Sequence, residues 1–297
     1  MSDFWDREVV ERQHIEWMSL LPVRLHINAL IGGGQLQWPI EWFESWLNGR
    51  TFERALSIGC GAGALERDLV RRGMCRRVDA FDASIASLHI AHDAARSDPI
   101  HYYAADFNRC ALPGKLYDVV FFHQSAHHVA RLEHLFAEIL HALKPDGLIY
   151  LDEYVGPSRT EWNADRLAPQ QAFFDAIPRE IRLTDVVPLP IQQDDPSEAV
   201  RSGEIEPLLR VGFDVLARRP YGGTLLAVLL PNMKLSEVDA VLPYCIGCER
   251  ALLAAGMPSY YAVIVAMPKR RLRKTLALIR YAARASRRRR LPGRPAP

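Results

Sequence analysis

Cysteine is scarce in this sequence of 297 residues. The five thiols, Cys60, Cys75, Cys110, Cys245 and Cys248, sit mostly beside apolar or helical segments. That pattern excludes a disulfide-stapled scaffold and suits free thiols in a reducing compartment. Cys245 and Cys248 in "CIGC" have ligand-like spacing, but no second pair accompanies them, and their helical surroundings favour packing over metal or redox chemistry. Also missing is a cationic start followed by an apolar run. The opening "MSDFWDREVVERQHIEW" is charged from its third residue, so neither a secretion signal nor a membrane span is indicated. No internal repeat is present, and with 49% hydrophobic residues the chain can bury a substantial core. The expectation is a cytoplasmic catalytic protein.

Acidic residues are absent from positions 269–297, which hold 12 of the 37 Lys and Arg. The remaining chain therefore carries 25 basic against 35 acidic groups, a net of −10, behind an overall formal charge of only +2. An acidic body with a strongly basic tail makes nucleic acid the less favoured partner. Within the tail, Leu272, Leu276 and Ile279 recur at helical spacing among the cations, so it is read as an amphipathic or disordered segment suited to reversible, peripheral attachment to an anionic membrane surface, with RNA association and packing against the acidic body as alternatives.

What is present is an alternation of short apolar strands and helices from residue 54 onward. "RALSIG", "RRVDAFD", "IHYYAAD", "YDVVFFH" and "PDGLIYLDEYV" are read as strands, with helices in "ALERDLVRRG", "SIASLHIAHDAARS" and "RLEHLFAEILHAL". Such alternation predicts an α/β fold with parallel strands covered by helices and ligands at the strands' carboxyl ends. Residues 1–50 are expected to form an amino-terminal helical lid, 51–155 the ligand-binding core, 156–210 an inserted acceptor cover, 211–268 the completion of the catalytic domain, and 269–297 the tail. Strand-like patterns return at "FDVLARRPYG" and "GTLLAVLL", and "DAVLPYCIGCERALLAAG" is read as a helix.

The stretch "ALSIGCGAGALERDLV" places Gly59, Gly61 and Gly63 directly after the first strand, where a turn poor in side chains lets a ligand approach the backbone. A nucleotide-hydrolase phosphate loop is disfavoured because no Gly-Lys-Ser/Thr follows, and a dinucleotide fingerprint lacks its third glycine. Asp82 ends the second strand, where a carboxylate can accept from two ribose hydroxyls, with Ala83 beside it. Asp106 and Phe107 follow the third strand, suited to an adenine amino group and ring face.

Together, "ALSIGCGAG", "VDAFDAS", "AADF", "YDVVFFHQSAHHV" and "LKPDGLIYLDE" resemble the class I S-adenosylmethionine-dependent methyltransferases over roughly residues 50–155. The resemblance implies a Rossmann-like sheet with S-adenosyl-L-methionine as cofactor. It implies that Gly59, Gly61 and Gly63 contact the methionine part and ribose, that Asp82 binds ribose, and that Asp106 and Phe107 frame adenine. The family's "KPGG" turn stands here as Lys144, Pro145, Asp146 and Gly147.

After the fourth strand, His123 and Gln124 are expected beside the cofactor, while His127 and His128 are candidates to take a proton from an acceptor. No acid or cysteine lies at ligand spacing from these histidines, so metal-independent transfer is expected. Of Asp152 and Glu153, strand alternation lets only one face the acceptor, and Glu153 is taken as that carboxylate, with a loop-organising salt bridge as its alternative role. Tyr154, Arg159 and Trp162 are candidates to line the opening. In the insertion, Arg201 and Glu204 form either a clasp or a hydroxyl-recognition pair. The expected function is methyl transfer to an oxygen or nitrogen of a small metabolite or sugar-containing acceptor. The alternatives are a nucleic-acid methyltransferase and a non-catalytic cofactor-binding scaffold.

Overall fold

The computed structural model describes residues 17–234 and 236–269. Residues 1–16 of the expected lid, and all of the basic tail beyond Lys269, lie outside them.

Two helices, α1 (Leu21–Ile31) and α2 (Pro39–Leu47), precede the sheet. Five strands follow: β1 (Ala55–Ile58), β2 (Val78–Asp82), β3 (Ile100–Ala104), β4 (Tyr117–His123) and β5 (Leu143–Tyr154). They alternate with α3 (Ala64–Arg71), α4 (Ile85–Ala95) and α5 (Leu132–Ala142). The insertion holds α6 (Ala164–Asp175) and ends in α7 (Ile205–Gly212), and β6 (Phe213–Gly222) returns the chain to the sheet. A second helical excursion carries α8 (Leu226–Leu229) and α9 (Leu242–Ala254) before β7 (Tyr261–Pro268).

The sheet order is β3-β2-β1-β4-β5-β7-β6. The first five strands are parallel, and β7 runs antiparallel to both its neighbours. The sheet is covered on both faces, so its central strands read as near-continuous apolar runs. Alternate residues enter two cores. Val119, Phe121, Leu148 and Tyr150 join the amino-terminal helices and both excursions, while Val120, Phe122, Ile149 and Leu151 pack with α5 and α7.

The expectation of a strand at "GTLLAVLL" is corrected, since Leu226–Leu229 of that stretch form α8 and Leu230 begins the turn beyond it. The seventh strand is "YAVIVAMP", which sequence reading did not assign. Both are short apolar runs, and periodicity alone does not separate a buried strand from a buried helix turn. Cys245 and Cys248 lie on α9 as free thiols, Cys245 buried. Among the described residues no helix is long and apolar enough to cross a membrane.

Candidate active site

Strand β1 ends at a turn whose glycines all adopt positive φ. At Gly59 a side chain has no room, because a Cβ would lie 2.3 Å from that of Ser125, whose hydroxyl donates to the Ile58 carbonyl at 2.6 Å. Gly61 is the opposite case. With φ +52, a Cβ there would meet nothing within 4 Å, so its backbone borders open space. Its N–H donates to Asp82 Oδ2 at 2.8 Å, and the other oxygen of Asp82 accepts from Ser84 N at 2.8 Å. The carboxylate at the end of β2 thus ties the first loop to the second. Asp106 Oδ1 accepts from Asn108 N at 2.9 Å, shaping the turn that carries Phe107.

These loops open on a cavity of about 1010 Å³. Gly59, Gly61, Asp82, Ala83, Asp106, Phe107, His123, Gln124 and His128 all line it. Gly63 does not line it. That residue precedes α3, and a Cβ on it would approach the Tyr102 hydroxyl to 2.4 Å. Met18, Arg24 and Trp38 to Glu41 close the amino-terminal side, with the Arg24 guanidinium 4.7 Å from the centre of the Trp38 ring. From the insertion only Ser197 is among the lining residues, so most of the wall expected from residues 156–210 comes instead from the helices at 18–41. Tyr154 and Trp162 are buried in the core rather than at the opening, and Arg159 donates to the carbonyls of Gln192 and Asp195.

Alternation along β5 does separate its two terminal acids, but it selects the other one. Asp152 shares the parity of Tyr150 and lines the cavity. Tyr221 donates to its Oδ1 at 2.5 Å, and His123 Nε2 lies 3.5 Å from its Oδ2. Burial, opposed by His123 and Tyr221, raises its pKa. Glu153 shares the parity of Leu151 and is fully buried, so its expected acceptor-facing role is corrected. Its Oε2 accepts from Ser125 N at 2.9 Å and Ala126 N at 2.7 Å, and its Oε1 pairs with His127 Nδ1. Glu153 therefore shapes the loop that carries the histidines.

His127 and His128 also divide. His127 is buried and absent from the cavity lining, whereas His128 lines it. Burial works to lower the pKa of His127, but Glu153 and Glu198 outweigh it and raise it to about 10. His128 is lowered to about 4, first by burial and then by its charged neighbour His127, so near neutral pH His127 is the cation and His128 is neutral. The two histidines converge on an acid after all. His127 Nε2 and His128 Nε2 lie 3.6 and 3.7 Å from Glu198 Oε2. This overturns the ground on which a metal-free site was expected, because tertiary folding brings Glu198 in from the insertion where local spacing held no acid. Arg201 pairs with both Glu204 and Glu133, the clasp reading of that pair, and joins the insertion to α5.

Sequence reasoning missed Ser125, Tyr221, Ser197 and Glu198. The buried parity of Tyr150 was a usable signal for Asp152, whereas nothing local pointed to Glu198.

A family profile described as a methyltransferase domain matches residues 56–151, the strands and loops that carry this cavity. The ubiquinone biosynthesis O-methyltransferase of Rhizobium rhizogenes is 29% identical over 201 residues, covering 67% of this chain and 73% of that protein. The sterol 24-C-methyltransferase of Eremothecium gossypii is 27% identical over 164 residues, 54% of this chain but only 40% of that protein. Among solved structures, the [4+2]-cyclase SpnF superposes with a TM-score of 0.50 at 16% identity, covering 90% of this chain and 95% of the cyclase, a likeness of fold alone. The methyltransferase domain is laid over the very strands whose ends form the cavity, and residues 56–151 of this chain are a class I S-adenosylmethionine-dependent methyltransferase domain.

Proposed function

We propose that this methyltransferase acts on the oxygen of a small hydroxylated acceptor held in the same cavity as its cofactor. One observation carries the reading. A single cavity of about 1010 Å³ joins the glycine turn to His128, Ser197 and Trp38, at the upper end of the size range for small-molecule sites and roomy enough for two ligands.

The cofactor end fits S-adenosylmethionine on its own geometry. Gly61 leaves open space beside the turn, Asp82 presents a carboxylate already anchored by two backbone N–H groups, and Phe107 offers a ring face beside Asp106. Bound there, the cofactor supplies an electrophilic methyl on a sulfonium centre. Gly59 and Gly61 hold its amino-acid part, Asp82 its ribose, and Asp106 with Phe107 its adenine, while His123 and Gln124 flank it.

At the acceptor end, Trp38 and Ile40 provide apolar walls and the helices at 18–41 exclude water. Alignment and exclusion of water carry much of such a transfer. His128, neutral and facing the cavity, receives the acceptor hydroxyl. Glu153 and His127 are positioning residues that act through it. The O-methyltransferase relative supports oxygen as the atom that is modified.

The test is transfer of labelled methyl from the cofactor to a panel of small phenols, hydroxylated metabolites and sugars, with the product identified by mass and by its methyl carbon shift. A methyl on oxygen is the expected outcome. Carbon methylation, or labelling of RNA alone, would reject the acceptor assignment.

A further inference from the structure

His127, His128 and Glu198 present ligand atoms that all lie within 4.8 Å of one another. Glu198 Oε2 sits 3.6 Å from His127 Nε2 and 3.7 Å from His128 Nε2. Ligand atoms around tetrahedral zinc, with bonds of about 2.0–2.1 Å, are about 3.3–3.5 Å apart, so the two histidine–Glu198 distances are within a few tenths of an ångström of closure, and any larger movement is confined to the histidine pair, whose ligand nitrogens lie within 4.8 Å.

The surroundings of the two rings strengthen this reading. Glu153 engages His127 on its other nitrogen, Nδ1. His128 Nδ1 lies 3.3 Å from Ser197 Oγ and 3.5 Å from Asp195 Oδ2. A carboxylate behind each imidazole is how metal-binding histidines are oriented, leaving the opposite nitrogen for the ion. Asp195 is 1% exposed, and its Oδ2 is buried without a hydrogen bond.

We propose that His127, His128 and Glu198 bind one divalent transition-metal ion, zinc by their ligand set, which displaces the proton from His127 and leaves a coordination position toward the cavity that His128 lines. Two imidazole nitrogens disfavour magnesium, which prefers oxygen donors. The site deepens the acceptor-side reading above: with the ion present His128 would serve as its ligand, and the ion would make an acceptor hydroxyl at the open position more acidic, so that its proton could pass to water rather than to the ring. It rests on that reading only for its role in transfer. Metal retention is measured without turnover, so either idea can fail alone.

The experiment uses the full chain, stripped with chelator and dialysed. Titration with zinc chloride is followed by calorimetry and by metal content after gel filtration, and cobalt(II) serves as a visible-absorption probe. One equivalent of zinc per chain is expected, with the intense cobalt absorption of a four-coordinate site. Glu198→Gln and His128→Ala, checked for folding by circular dichroism, are expected to weaken zinc binding at least 100-fold (~), and Asp195→Asn about 10-fold as an outer-partner change. Folded wild-type protein that retains no zinc at micromolar concentration overturns the proposal. So does undiminished binding by both ligand variants, or zinc that is lost in Cys245→Ser/Cys248→Ser while His128→Ala keeps it.

Discussion

Asp82 does two jobs with one carboxylate. It accepts from the Gly61 N–H at 2.8 Å and lines the cavity, so in the site proposed above its loss removes both a ligand acceptor and a pin of the glycine turn. Hydrogen bonds to charged groups contribute about 1.5–3 kcal/mol. Asp82→Ala is accordingly expected to weaken S-adenosylmethionine binding about 10- to 100-fold. Calorimetry on the folded variant reads this directly, and unchanged affinity would remove Asp82 from the site. A second residue-scale expectation concerns His26 on α1, whose side chain is only 7% exposed. Burial first, and Arg250 second, lower its pKa to about 4, and the 4.0 Å approach of Glu249 does not offset them. Its folded pKa lies below the unfolded value of about 6.5, so the unfolded chain binds more protons between these values. Stability is present above about pH 6.5 and falls as the pH drops toward 4, by at most about 3 kcal/mol from this group. Urea melts at pH 7.5 and 4.5 should therefore differ less in His26→Leu than in the natural protein.

At the scale of elements, α2 is not a detachable cover. Phe43 is fully buried, with its ring 4.7 Å from Tyr150, 6.0 Å from Phe121 and 6.4 Å from Phe52, so this helix is part of the core beneath the sheet. Phe43→Ala is expected to cost about 3–5 kcal/mol, measured as a lower urea midpoint. A loss under about 1 kcal/mol would show that α2 packs loosely enough to swing away. Trp38, at the amino-terminal end of the same helix, is half exposed and lines the cavity. Trp38→Ala is therefore expected to raise the acceptor KM with little change in the urea midpoint. The element scale is also where local reading met its limit. β1 to β5 were legible because each is a short apolar run bounded by turns, and helices follow β1, β2 and β4. The second excursion was not, because "GTLLAVLL" and "YAVIVAMP" are equally apolar and only their neighbours in space assign one to a helix and the other to the strand between β5 and β6.

For the whole molecule, the division between an acidic body and a basic tail makes a further prediction. We propose that residues 269–297 attach the enzyme reversibly to anionic membrane surfaces, because their cations attract anionic lipid headgroups and Leu272, Leu276 and Ile279 add apolar contact. Intact protein should co-sediment with anionic but not neutral vesicles, weaken as salt rises, and lose this binding when truncated after Pro268. Equal association by both chains, or binding to RNA in place of vesicles, would reject it.

By itself the sequence determined the parallel half of the sheet, the glycine turn, and the placing of Asp82, Asp106 and Phe107 at strand ends. Each of these depends on residues close together in the chain, and backbone periodicity carries that information. Tertiary structure alone decided three matters. It placed Asp152 rather than Glu153 at the cavity, because the face of a strand is named only when its partners are known. It lined the cavity with residues from 18–41 and, from the insertion, with Ser197 alone among the described residues. And it set Glu198 against His127 and His128, an encounter between a loop after β4 and a segment after β5 that depends on how the insertion folds back, which no local spacing encodes.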